Sequence, residues 1–327
     1  MIDILSLIRD TGAYKTVVSD KKNGTVSHAY LFLTPDKLML EEYLKVFAKI
    51  ICCENEEPCL SCRTCRLIDE KSFTDVLFYP KKAGAVLTED VNSLIEESYL
   101  KPTQNEKKVF VICNAETMNA SAQNKLLKTL EEPPKNVHII LGATSEFPLL
   151  QTIKSRVKKL EIPLFSAQKI ISALSADCSD EQKLISAVAC GDGTVGKALA
   201  LYGDENLSTA IELAQDLIVN MKSSAQVLDY SMKISALKID FSEFLSVLEL
   251  LLRDLLVSTE NGEQLVINKK SFEKTKSAQG FCTGAILHAL EKINECYKRK
   301  KFNQSETMII EWLLFQILEG KYKWQKL

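Results

Sequence analysis

Cys53, Cys59, Cys62 and Cys65 lie in "CCENEEPCLSCRTC", two consecutive C-x-x-C steps with one thiol upstream. A C-x-x-C turn lets two thiolates converge on one metal, and four thiolates complete a closed tetrahedral shell of Zn–S bonds with no open catalytic position. Polar Ser61, Arg63 and Thr64 between the cysteines suit a metal loop better than a redox pair or a core. Cys52 stands beside Cys53 as the alternative first ligand. The remaining five, Cys113, Cys178, Cys190, Cys282 and Cys296, are scattered and read as small buried hydrophobes.

A second stretch is informative for what it lacks. "HAYLFLTPDKLMLEEYLKVFAKII", residues 28–51, runs from an apolar strand into a helix, the layout that surrounds a phosphate-binding loop. Such a loop needs glycines to curl around phosphate, a Lys for the terminal phosphates and a Ser or Thr for magnesium. From Thr34 to Glu41 there is no glycine and no Lys-Thr or Lys-Ser pair. Taken alone, the stretch reads as a strand, a Thr-Pro-Asp turn and a helix.

The elements that must position these residues follow from apolar patterning. Strands are expected at residues 29–33, "DVLFY" (75–79), "KVFVIC" (108–113), "VHIILGAT" (137–144) and "VKKLEI" (157–162). Helices fall between them. One starts at the expected cap Thr88, with Val91, Leu94 and Ile95 on one face. Another aligns Ala122, Leu126 and Leu130 and stops at Pro133-Pro134, whose rings forbid continuation. Strands alternating with helices imply parallel βαβ units, with a ligand crevice at the carboxyl ends of the strands. Beyond Pro163 the strand signals cease, and short helices (166 to about 203, around "GDGTVG") give way to long amphipathic ones, with a loop at "STENGEQLVINKKS".

Composition sets the bounds. A chain of 327 residues exceeds one compact core, and roughly two or three domains are expected. A formal net charge of −2 neither supports nor excludes nucleic acid, so any such contact must come from a local patch. Only 12 glycines argue for a helix-rich chain and against an all-β fold. "MIDILSLIRDTGAY" has no basic start or cleavage site of a signal peptide, and no apolar run approaches a membrane span, so a cytoplasmic chain with reduced thiols is expected. "YKRKKF" (297–302) sits at a helix end, where the dipole favours cations. His28, His138 and His288 are isolated and read as structural.

"SHAYLF", "PCLSCRTC", "NKLLKTLEEPPKNVHIILGAT" and "SRV" occur in the order and spacing of the bacterial DNA polymerase III clamp-loader subunits, which the chain resembles over residues 27–163. Within that family it looks like the delta-prime type. The resemblance implies an α/β AAA+ fold, a RecA-like parallel sheet with a zinc-binding insertion, followed by a small helical lid domain and an all-α collar domain. The boundaries expected are 1–163, with the zinc module at 52–65, then 164–206 and 207–327.

Family ATPases read G-x-x-G-x-G-K-T, and the alignment puts Thr34, Lys37 and Met39 at the glycines, Leu40 at the Lys and Glu41 at the Thr. Leu40 cannot offset phosphate charge, and Glu41 would bring a carboxylate toward it. Where the family carries a magnesium-binding Asp and a water-activating Glu, this chain has Cys113 and Asn114, neither suited to the task. The lid arginine of "G-x-x-R-x-A-L" appears as Gly196, beside Lys197. The family's S-R-C element, whose Arg reaches a neighbouring subunit's γ-phosphate, is Ser155-Arg156 followed by Val157.

The expectation is therefore a subunit with a vestigial ATP site, no bound ATP and a structural Zn2+ held by Cys53, Cys59, Cys62 and Cys65. It would sit in a hetero-oligomeric ring with clamp-loader ATPase subunits and the delta subunit, help load the sliding clamp on primer-template DNA, and supply Arg156 to a neighbour. The alternatives are a gamma/tau-like ATPase subunit with a divergent site and a zinc-dependent nucleic-acid-binding protein. The last should show a basic face near the cysteines, yet "ENEEP" is acidic.

Overall fold

A computed structural model describes residues 3–259, 262–302 and 304–323. The chain falls into two compact units, Met1–Asp177 with Thr194–Gly196, and Cys178–Gly193 with Lys197–Leu327.

The first unit is built on a five-stranded sheet, every pair parallel, in the order β2-β3-β4-β1-β5. The strands are β1 (Ala29–Leu33), β2 (Val76–Tyr79), β3 (Lys108–Ile112), β4 (Val137–Ala143) and β5 (Lys158–Glu161). All five lie where the apolar runs place them. Strands β3 and β4 are buried along their whole length, because helices cover both faces, and this explains why their sequences are continuous apolar runs rather than alternating ones. The edge strand β5 is exposed and lysine-bearing, which discourages pairing with another chain. Chain order reverses at β1, between β4 and β5, so the crevice beyond its carboxyl end is the topological switch point.

On one face the Leu40–Cys52 helix packs on β1 and β4, with Phe47 stacked on Phe32 at 3.9 Å between centroids. Gly142 of β4 leaves room for this helix, since a Cβ there would stand 2.4 Å from Leu44 Cδ1 and 2.9 Å from Leu40 Cδ1. The opposite face buries Leu31, Phe110, Ile112, Ile139 and Leu141 under Val91 and Leu94 of the Thr88–Ser98 helix and Ala122, Leu126 and Leu130 of the Ala120–Glu131 helix. Thr88 is the first helical residue and Leu87 takes the cap position, because Asp90 reaches back to accept the Leu87 N–H at 3.0 Å. Just before β2, buried Asp75 accepts from the N–H groups of Thr103, Gln104 and Asn105 and so fixes the chain leading into β3.

The second unit holds no strand among the described residues. Its long helices, Asn206–Asn220, Phe241–Thr259, Thr283–Lys301 and Glu306–Lys323 among them, enclose an apolar core that includes Leu217, Phe244, Leu248, Ile286, Ile293, Leu313 and Ile317. The basic run at 298–301 is the last turn of Thr283–Lys301; Lys300 pairs with Asp240 at 2.9 Å, and the Arg299 guanidinium lies 3.6 Å from the Trp312 ring centroid. These cations are engaged within the unit, as a helix C-terminus favours. Glu260 and Asn261 of the expected 258–271 loop lie outside the described residues. Among the described residues, no helix is long and apolar enough to cross a membrane.

Candidate metal centre and strand-end crevice

The Leu40–Cys52 helix stops at Cys53, whose extended backbone (φ −65°, ψ 143°) turns the chain outward. Lys21 donates to the main-chain oxygens of Cys53 and Asn55, Lys22 pairs with Glu56 at 2.9 Å, and Arg9 and Tyr14 both bond Glu57. The acidic "ENEEP" arm is thus held by the basic residues of the chain's own N-terminal helices. Leu60 adopts a left-handed conformation (φ 58°), and Cys62 caps the Arg63–Asp69 helix. Cys59 Sγ accepts the Cys62 N–H and Cys62 Sγ the Cys65 N–H, each at 3.3 Å.

These turns bring the Sγ atoms of Cys53, Cys59, Cys62 and Cys65 within 4.8 Å of one another, with Cys53 and Cys59 at 3.8 Å. Zn–S bonds of about 2.3 Å in a tetrahedron require sulfurs about 3.8 Å apart, so the donor set fits one zinc. The amide donors from Cys62 and Ser61 lower the Cys59 thiol to about 6, while burial pushes Cys65 up. A cation at the centre offsets the cost of ionising buried thiols. Cys52 is the last residue of its helix and outside this group, and burial pushes its thiol up to about 12.

The loop after β1 uses its own polar groups internally. The Thr34 N–H bonds the Ala143 carbonyl at 3.1 Å, Lys37 N–H the Pro35 carbonyl at 3.1 Å and Leu40 N–H the Lys37 carbonyl at 3.4 Å. Thr34 Oγ1 accepts the Asp36 N–H, and Asp36 Oδ1 accepts that of Met39, both at 3.3 Å. Lys37 is exposed, Thr34, Met39 and Leu40 are buried, and Glu41 pairs with Lys71 at 2.6 Å. In the sequence Asp36 is only part of the Thr-Pro-Asp turn; in the structure it is only 5% exposed.

At the end of β3, burial pushes the Cys113 thiol up to about 12, with Glu41 adding to the effect. Asn114 has a left-handed backbone (φ 55°), and its Oδ1 is buried without a hydrogen-bond partner among the described residues. Glu116, also not singled out from sequence, accepts from the Thr144 hydroxyl at 2.7 Å at the end of β4. Gly196 is buried; a Cβ on it would stand 2.4 Å from Leu38 Cβ, so no arginine fits there without moving that loop. Lys197 pairs with Asp192 at 2.6 Å. His138 bonds the Ser27 carbonyl through Nδ1 at 2.9 Å, and burial pushes its pKa down.

Ser155 caps the short Gln151–Lys154 helix, and the neighbouring Arg156 is about a third exposed. Its guanidinium meets Glu131 at 2.6 Å and the Thr152 carbonyl at 3.0 Å, so the sequence-adjacent lysines are not its partners.

The first unit is thus a parallel α/β fold with its crevice at the β1 switch point and, after the crevice helix, a four-cysteine cluster that could hold a metal ion. Residues 10–166 match the family model described as DNA polymerase III, delta subunit. The chain is 32% identical to DNA polymerase III subunit delta′ of Bacillus subtilis over 149 residues, 45% of this chain and 44% of that one. It is 28% identical to subunit tau of the same organism over 213 residues, 62% of this chain and 37% of the relative. The chain thus covers less than half the length of each of these two relatives. Over this stretch the chain is similar to DNA polymerase III clamp-loader subunits. A gamma subunit-related protein of Thermotoga maritima is similar in outline over 93% of this chain and 99% of its own, at 17% identity and a TM-score of 0.47, too loosely to carry residue assignments.

Proposed function

We propose that this chain is a delta-prime-type clamp-loader subunit: non-catalytic, part of the DNA polymerase III holoenzyme, and the donor of an arginine finger to a neighbouring ATPase subunit. The observation that carries the proposal is the loop after β1, whose amides at 34, 36, 37, 39 and 40 all bond within the chain. These five amides are therefore not open to a phosphate. Leu40 is buried where a lysine would be needed, and neutral Cys113 and Asn114 offer no magnesium ligand or base. Arg156 is about a third exposed at the start of β5, at the opposite ends of the strands from this loop.

Its partners are then the ATPase subunits and the delta subunit of a hetero-oligomeric ring, with the sliding clamp and primer-template DNA engaged by the assembly, in the cytoplasm. Zn2+ held by Cys53, Cys59, Cys62 and Cys65 is structural. The first unit carries the AAA+ domain, and the proposed lid (164–206) and collar (207–327) follow. The longer stretch aligned to a tau subunit favours a second reading, an ATPase subunit with a divergent site. Calorimetric titration of the chain with Mg-ATP separates the two: no heat of binding at millimolar nucleotide is expected, and a saturable micromolar isotherm overturns the proposal.

A further inference from the structure

Asp36 stands in the loop after β1, where a phosphate-binding loop would open its amides to an anion. Its carboxylate is buried and yet fully partnered. Oδ2 accepts the N–H of Val195 at 2.7 Å, the N–H of Gly196 at 3.0 Å and the Tyr43 hydroxyl at 3.1 Å, while Oδ1 accepts the Met39 N–H at 3.3 Å. Val195 and Gly196 cluster with the first unit and open the Val195–Gly203 helix. The first amides of a helix have no intrahelical acceptor and carry the positive end of its dipole, which is why helix N-termini bind phosphate. Here the chain supplies the anion itself. The fit is close: a Cβ on Gly196 would stand 2.6 Å from Asp36 Oδ1.

We infer that Asp36 is an internal anionic ligand: it takes the place a nucleotide phosphate has in working sites of this kind and holds the amides of Val195 and Gly196 on the β1 loop without nucleotide. Two consequences follow. The contact persists whether or not ATP is present, and an approaching phosphate meets a fixed carboxylate instead of open amides. The inference extends the vestigial-site reading but is tested without it.

The test is hydrogen–deuterium exchange on the full chain, nucleotide-free, read by mass spectrometry on the peptide containing residues 195 and 196. Asp36→Ala should raise exchange in that peptide about tenfold or more, with the β4 peptide unchanged; Asp36→Asn, which keeps an acceptor without charge, should fall between. Wild-type protection in Asp36→Ala overturns the inference. If Asp36→Ala exchanges everywhere, Gly196→Ala decides, because it keeps the carboxylate and pushes the two segments apart: faster exchange confined to peptides around 36–39 and 195–196 supports the latch, and unchanged exchange there refutes it. Adding Mg-ATP to wild type is a separate arm. Nucleotide-dependent protection would overturn the vestigial site, while a slow wild type beside a fast Asp36→Ala would still uphold Asp36.

Discussion

Arg156 Nη2 lies 2.6 Å from Glu131 Oε1, joining the start of the edge strand to the end of the helix that carries "LLKTLEEPP". The pair is a third to a half exposed, so Arg156→Ala should cost less than about 1 kcal/mol of stability. In a reconstituted clamp loader the same variant should lower the DNA- and clamp-stimulated ATPase, by as much as about 10³ at the one affected interface and less over the whole assembly. Equal steady-state ATPase and clamp loading for wild type and variant would make Arg156 an ordinary surface charge.

Metal analysis of protein purified without chelator should give about one zinc per chain. The double variant Cys62→Ser, Cys65→Ser should lose it, since two thiolates cannot close the shell. Cys53→Ser should also lose most of it and Cys52→Ser none, because Cys53 and not Cys52 joins the four-sulfur group. Full zinc retention in Cys53→Ser would contradict this geometry.

Lys321 is buried in the second unit, donating to the carbonyls of Ile218 and Met221, and burial pushes its pKa down from 10.5 to about 8. Between those values the unfolded chain binds a proton that the folded chain does not, so stability attributable to this group rises with pH across the window. Urea midpoints at about pH 7.5 and about pH 9.5 should therefore shift in favour of wild type relative to Lys321→Met as pH rises. A difference between the two proteins that is independent of pH would refute the assignment.

Leu126 is fully buried between its helix and the sheet. Leu126→Ala should cost about 2–5 kcal/mol, the lost transfer energy plus the cavity, measured by denaturant unfolding. A loss below about 1 kcal/mol would mean that the helix repacks freely over the sheet.

Much of the first unit is legible in the sequence because parallel strands covered on both faces must be apolar throughout, and "KVFVI" and "VHIILGA" are. The Ala120–Glu131 helix is equally plain, with apolar residues every four positions and prolines just beyond its end. The C-x-x-C steps announce the four-thiol cluster because local turns bring those thiols together. What the spacing leaves open is the upstream ligand, Cys52 or Cys53. That is decided by where the Leu40–Cys52 helix unwinds, which depends on how Lys21 and Asn105 hold the carbonyls beside it.

Residue types alone thus determined which groups stand at the key places: no glycine and no Lys-Thr or Lys-Ser pair at 34–41, four thiols at 53–65 and an arginine at 156. Only the tertiary structure decided what fills the places left. Strand order puts the β1 loop at the switch point, Arg156 meets a carboxylate 25 positions earlier in the chain, and Asp36 meets the amides of Val195 and Gly196, 159 and 160 positions later. The physical reason is that a main-chain N–H is the same in every residue but proline. A carboxylate that binds one leaves no mark on its partner's side chain, and nothing in the order of residues shows where the two will meet.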